Sequence, residues 1–119
     1  MNQPLNTGQA QRIDREQIRV MVSWRARLVL APNVFEEAKV INISEGGMGL
    51  IVERPYQAGT RLDVAIAIPS LTDRSRLHYA QTQCRVAFHV LSSKQFQIGL
   101  QFVSIDSATK KLIHQWLVD

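Results

Sequence analysis

Hydrophobic and polar residues alternate with a period of two along most of this chain, the signature of strands that bury one face. The first run places Val20, Val22, Trp24, Ala26, Leu28 and Leu30 on one side and Arg19, Met21, Ser23, Arg25 and Arg27 on the other. Ala31-Pro32-Asn33 has turn chemistry, because proline presets its dihedral and asparagine tolerates the left-handed region. The chain is therefore expected to reverse into a second strand over Glu36–Ile43. Gly46-Gly47 interrupts the pattern, and Met48, Leu50 and Val52 resume it up to Pro55. Leu62, Val64, Ile66 and Ile68 form a fourth run that stops at Pro69-Ser70; Ala80, Thr82, Cys84, Val86 and Phe88 form a fifth, and Phe96, Ile98, Leu100 and Phe102 a sixth.

Six short alternating strands predict an all-β fold, a six-stranded antiparallel β-barrel, since closure removes the edges that an open sheet exposes. After Phe102 the period changes. Asp106 or Ser107 suits a helix N-cap, and Ala108, Leu112 and Trp116 with Leu117 make an apolar stripe, so a C-terminal α-helix is expected to pack on the barrel.

A length of 119 residues accommodates one core. Residues 1–11 are polar with little to bury and are expected to be a flexible N-terminal tail, leaving residues 12–119 as the domain. They hold no apolar signal-peptide centre, and no apolar run approaches the roughly 20 residues that cross a bilayer. The expected location is cytoplasmic, without membrane insertion. The single cysteine, Cys84, has no internal disulfide partner and falls in a strand run, where it reads as a buried structural thiol.

Fourteen basic against ten acidic residues give a net charge of +4, which favours anionic partners without identifying one. The distribution is more informative: Arg12, Arg15, Arg19, Arg25 and Arg27 crowd the N-terminal stretch, offset there only by Asp14 and Glu16. Enzymatic chemistry finds little support. His78, His89 and His114 are scattered without metal-ligand spacing or a nucleophile's partners, and no phosphate-cradling glycine loop is present. No catalytic or metal residue is assigned, no cofactor is implied, and the chain is not expected to be an enzyme.

Two local features remain. Arg15 and Arg19 stand four apart before the first strand; guanidinium groups donate paired hydrogen bonds to phosphate oxygens or to the O6 and N7 edge of guanine. Taken alone, such a pair is as compatible with a solvated surface. Asn42, Ser44 and Gly47 lie where the second strand should turn into the third. Asn42 and Ser44 are expected to point the same way, and Gly47 to take a positive dihedral and bring the backbone close to a ligand. Alone, this too reads as an ordinary hairpin.

In combination, RxxxR before the first strand, NxSxxG after the second, and Gly99-Leu100-Gln101-Phe102 followed by a helix resemble the PilZ family over roughly residues 12–118. The resemblance implies a bacterial receptor for cyclic di-GMP. On the matched positions it implies that Arg15 and Arg19 contact phosphates and guanine edges, that Asn42 and Ser44 hydrogen-bond the ligand, and that Gly47 permits close approach. It further implies an arginine loop that closes over the ligand and signals to a protein partner. Family members that hold a stacked ligand pair carry another arginine where this chain has Asp14, so one ligand molecule per site is expected, with Arg12 as the additional candidate residue. Two other classes stand beside this reading: a PilZ-like protein-interaction module without ligand, and a small basic barrel binding single-stranded nucleic acid. The thin aromatic content, 7%, disfavours the last, so no nucleic acid is expected. Monomer and homodimer remain open.

Overall fold

The computed structural model describes residues 18–118. Six strands, β1 (Val20–Ala31), β2 (Val34–Ile43), β3 (Gly47–Val52), β4 (Arg61–Pro69), β5 (Leu77–Ser92) and β6 (Gln95–Ser104), precede one helix, α1 (Ser107–Val118). They close into an antiparallel barrel in the order β1-β2-β3-β6-β5-β4. The expected fold class is the one observed. β2 begins two residues before the expected Glu36, because Asn33, at φ 61°, reverses the chain at once.

The inward positions supply the core: Trp24, Leu28, Val40, Leu50, Val64, Ile66, Ile98 and Leu100 are all buried. Two alternations end earlier than the sequence suggests. A register shift between Val29 and Ala31 carries Leu30 out of the core, and another between Val86 and Phe88 turns Phe88 to the outer face. One extra residue in a ladder inverts every side chain after it. The outward Phe88 ring lies over Gly99, where a Cβ would collide with it.

Helix α1 closes the barrel. The Asp106 carboxylate caps it by accepting the Thr109 amide at 2.7 Å. The buried side is set by Thr109 and Ile113, with Leu112, Trp116 and Leu117 half-buried, whereas Ala108 of the expected stripe is exposed. Thr109 Oγ1 is 3.1 Å from His78 Nε2, which satisfies a hydroxyl that the burial would otherwise strand. Trp116 packs edge-on against Trp24, centroids 5.3 Å apart, and donates Nε1–H to the Pro69 carbonyl at 3.0 Å. Both tryptophans thus serve packing, as expected.

Glu36 is a buried carboxylate at an inward β2 position. It accepts the Tyr56 hydroxyl at 2.6 Å, the Glu53 amide at 3.1 Å and Arg54 Nε at 3.1 Å. Burial raises its pKa, but these three donors together outweigh that effect and hold it below 4.5. Burial and the Glu36 carboxylate push Tyr56 up to about 12. The cluster ties the segment after β3 to β2.

Because the folded Glu36 pKa lies below the unfolded one, its contribution is full above pH 4.5 and falls as pH drops through the folded value. Urea denaturation of Glu36→Gln is expected to show a loss of about 1–3 kcal/mol at neutral pH and a flatter acid limb than the parent. An acid limb of unchanged slope would disprove the assignment.

Candidate functional site

The turn between β2 and β3 is built by Ser44 and Gly47. The Ser44 amide donates to the Gly47 carbonyl at 2.9 Å, and the Gly47 amide donates to Ser44 Oγ at 3.2 Å. Ser44 is fully buried and its hydroxyl also reaches the Gly47 carbonyl at 3.3 Å. Phe102 N donates to the Gly46 carbonyl at 2.9 Å, which fastens the turn to β6. Glu45 Oε2 lies 2.9 Å from His114 Nδ1 on α1. The turn is therefore held from β6 and from the helix, not only by its own strands.

Gly47 is a glycine for a reason other than the one expected. Among the described glycines only Gly59 has a positive φ. At Gly47 the constraint is steric, since a Cβ would strike the backbone carbonyl of Leu100 on β6. Gly49 has a related role: it pairs with Asn42 across β2–β3, and a Cβ there would meet the Asn42 carboxamide at 2.8 Å. Gly49 makes room for Asn42.

Asn42 Oδ1 accepts Arg19 Nη1 at 2.7 Å. The β1–β2 register explains the meeting of residues 23 apart, because Val20 opposes Ile43 and Met21 opposes Asn42. Arg19, Gly46 and Gly47 then line one side of an open hollow of about 320 Å³, and Arg85, Phe88 and Gln101 line the other. Arg85 Nη2 donates to Gln101 Oε1 at 3.0 Å, and Gln101 pairs directly with Gly47. A cation stands on each side of a glycine floor, with an exposed aromatic ring beside them. That combination suits an anionic group joined to a planar ring.

The structure thus brings Arg19, Asn42 and Gly47 together. Ser44 adjoins them one residue beyond the end of β2, buried, with its hydroxyl bonded across the turn to Gly47. Arg12 and Arg15 lie outside the described residues. Arg85 and Phe88 of the hollow were missed by reasoning from sequence, which noted Gly99 and Gln101 only as part of a strand motif. Arg85 carried a faint signal as an outward alternate position, whereas Phe88 read as core until the register shift reversed it. Cys84 is fully buried, its thiol pushed up to about 11 chiefly by burial, which leaves it protonated and inert at neutral pH. Among the described residues no three His, Cys, Asp or Glu side chains gather as a metal site, and no helix is long and apolar enough to cross a membrane.

The model of the PilZ domain family matches residues 13–119. No curated protein sequence matches the chain. Among solved structures, the chain is similar to the Bacillus subtilis inhibitor of motility MotI/DgrA, with a TM-score of 0.73 and 16% identity over 94% of this chain and 51% of the other. It is similar to the PilZ domain of Escherichia coli YcgR with c-di-GMP, with a TM-score of 0.61 and 15% identity over 92% of this chain and 90% of the other. It is also similar to the K. pneumonia MrkH–c-di-GMP complex, with a TM-score of 0.67 and 15% identity over 95% of this chain and 53% of the other. The chain thus spans about half the length of MotI/DgrA and MrkH.

Ser44→Ala removes a buried acceptor from the Gly47 amide, and Gly47→Ala forces β3 away from β6. Urea denaturation should show each losing about 1–3 kcal/mol. Stability within a few tenths of the parent in both would contradict the structural role assigned to the turn.

Proposed function

The chain belongs to the PilZ domain family, and we propose that it is a receptor for cyclic di-GMP which binds at the hollow between the β2–β3 turn and β5–β6. PilZ domains are receptors rather than enzymes. The observation that carries the reading is the Arg19 guanidinium held by Asn42 at the rim of the Gly46–Gly47 floor, facing Arg85 and Phe88. Cyclic di-GMP offers two phosphodiester charges and two guanines. Arginine is the side chain that bonds both, bidentately and at every relevant pH.

In this reading Arg15 joins Arg19 on the ligand, Asn42 exchanges its bond to Arg19 for one shared with a guanine, and Gly47 keeps the floor open. Ser44 holds the turn and, beside Asn42 in the motif, hydrogen-bonds the ligand. Phe88 offers a face for stacking, and Arg85 a second cation. Closing the N-terminal arginine segment over the ligand costs conformational entropy, which charge-assisted bonds made only in the closed state offset. The closed surface is then what a protein partner distinguishes. With Asp14 beside Arg15, repulsion of a second phosphate set favours one ligand molecule per site.

Isothermal titration is expected to give a stoichiometry near one, and cyclic di-GMP should raise the apparent Tm because it binds the folded form alone. Arg19→Ala and Arg15→Ala should each weaken binding by about a hundredfold, and Arg85→Ala by about tenfold, the loss of one or two charge-assisted bonds. No thermal shift at saturating nucleotide would overturn the proposal. A stoichiometry of two would overturn the single-ligand reading while leaving the site in place.

A further inference from the structure

Across the barrel from the nucleotide hollow, the outer face of β1, β4 and β5 carries an open groove of about 540 Å³. Its floor is made by Ala65 and Ala67 of β4. One wall is Arg25 and Arg27 of β1; the other is Leu77 and Tyr79 of β5. The ladder accounts for the shape, because Ala67 is paired with Tyr79 and Ala65 opposes Arg27. Small side chains on the central strand leave a trench between long ones.

Folding alone does not explain the lining. Arg25 stands directly opposite Lys39 in the β1–β2 pair, and both side chains are exposed. Like charges so placed have Cβ atoms about 5 Å apart and destabilise a sheet. Neither has an ion-pair partner among the described residues, whereas the next pair along, Arg27 and Glu37, is satisfied at 3.0 Å. On the opposite wall Tyr79 is 76% and Leu77 42% exposed, an apolar surface with nothing described upon it.

We propose that this groove docks an acidic segment of a partner protein, with one carboxylate on Arg25, a second on Lys39, which stands opposite Arg25 just outside the lining, and an apolar side chain between Leu77 and Tyr79 over the alanine floor. Charge complementarity selects the occupant. A nucleic acid fits poorly, because it needs a track of cations and Arg27 is already paired with Glu37. The proposal does not rest on nucleotide binding, since none of these residues lines the other hollow.

The test uses the full chain and an array of labelled 12-residue peptides, each with an apolar residue between two Asp or Glu residues. Matched peptides carry Lys in place of the acidic residues. Acidic members should bind by fluorescence anisotropy, weaken with added salt, and lose affinity about tenfold in Arg25→Glu and in Tyr79→Ala, the loss of one charged or one aromatic anchor. Arg25→Glu should have a Tm at or above the parent's, because it puts opposite charges at the Arg25–Lys39 pair, and should keep the cyclic di-GMP affinity, and bound peptide should shift the backbone amide resonances of Ala65, Ala67 and Tyr79. Binding by no acidic member, equal binding of the Lys-substituted set, or undiminished affinity in Arg25→Glu would overturn the proposal. So would tighter binding of a single-stranded oligonucleotide, or self-association of the chain that Arg25→Glu abolishes.

Discussion

The Leu100 carbonyl approaches the α-carbon of Gly47 so closely that no side chain fits between them, and the placement of the candidate nucleotide site follows from that contact. It lets β3 pair with β6 from its first residue, Gly47 against Gln101, which completes the barrel where β2 hands over to β3. Because the β2–β3 turn is also bonded to β6 through Phe102, it cannot drift relative to the strands that carry Arg85 and Phe88. A side chain at residue 47 would therefore act twice, loosening closure of the barrel and opening the site. Stability and the geometry of the candidate site are coupled at one atom pair.

Much of the fold was legible because a half-buried strand must alternate, and Val20 to Leu28 or Leu62 to Ile66 do so without exception. What escaped was register. Phe88 sits in phase with Ala80 through Val86, and nothing in the residues themselves announces the shift that turns it outward over Gly99. The same holds for Leu30. A bulge is a property of two strands together, so one strand's pattern does not reveal it. The helix shows a different failure: Thr109, polar by composition, is buried because His78 gives its hydroxyl a partner that sequence order hides.

The candidate site was legible in a similar degree. The motif spacing located Arg19, Asn42 and Gly47, which do converge, but the dihedral reason it gave for Gly47 does not hold. Gly47 answers to a steric limit, not to a dihedral one. Ser44 also fastens the turn through Gly47, a bond that the motif does not announce. Arg85, Phe88 and Gln101 lie far along the chain from Gly47, and only the β3–β6 and β5–β6 ladders bring them beside the motif. Short motifs carry the residues that local geometry assembles; closure of the barrel supplies the rest.

β1 connects the two outer surfaces, with Arg19 just before its start and Arg25 on the strand itself. It is not uniformly held between them. Trp24 is buried and braced by Trp116, which in turn bonds Pro69, so the strand from Trp24 onward is clamped to α1 and the end of β4. Before Trp24 the ladder with β2 is interrupted, and Met21 is 75% exposed. The register shift between Met21 and Trp24 is where a displacement of Arg19 would be taken up before it reached Arg25. Strain along the strand is a poor carrier between nucleotide hollow and groove. On the two proposals taken together, a partner in the groove would respond to nucleotide only by reaching around the barrel to Arg19, which would give the exposed start of β1 a place in recognition rather than in transmission.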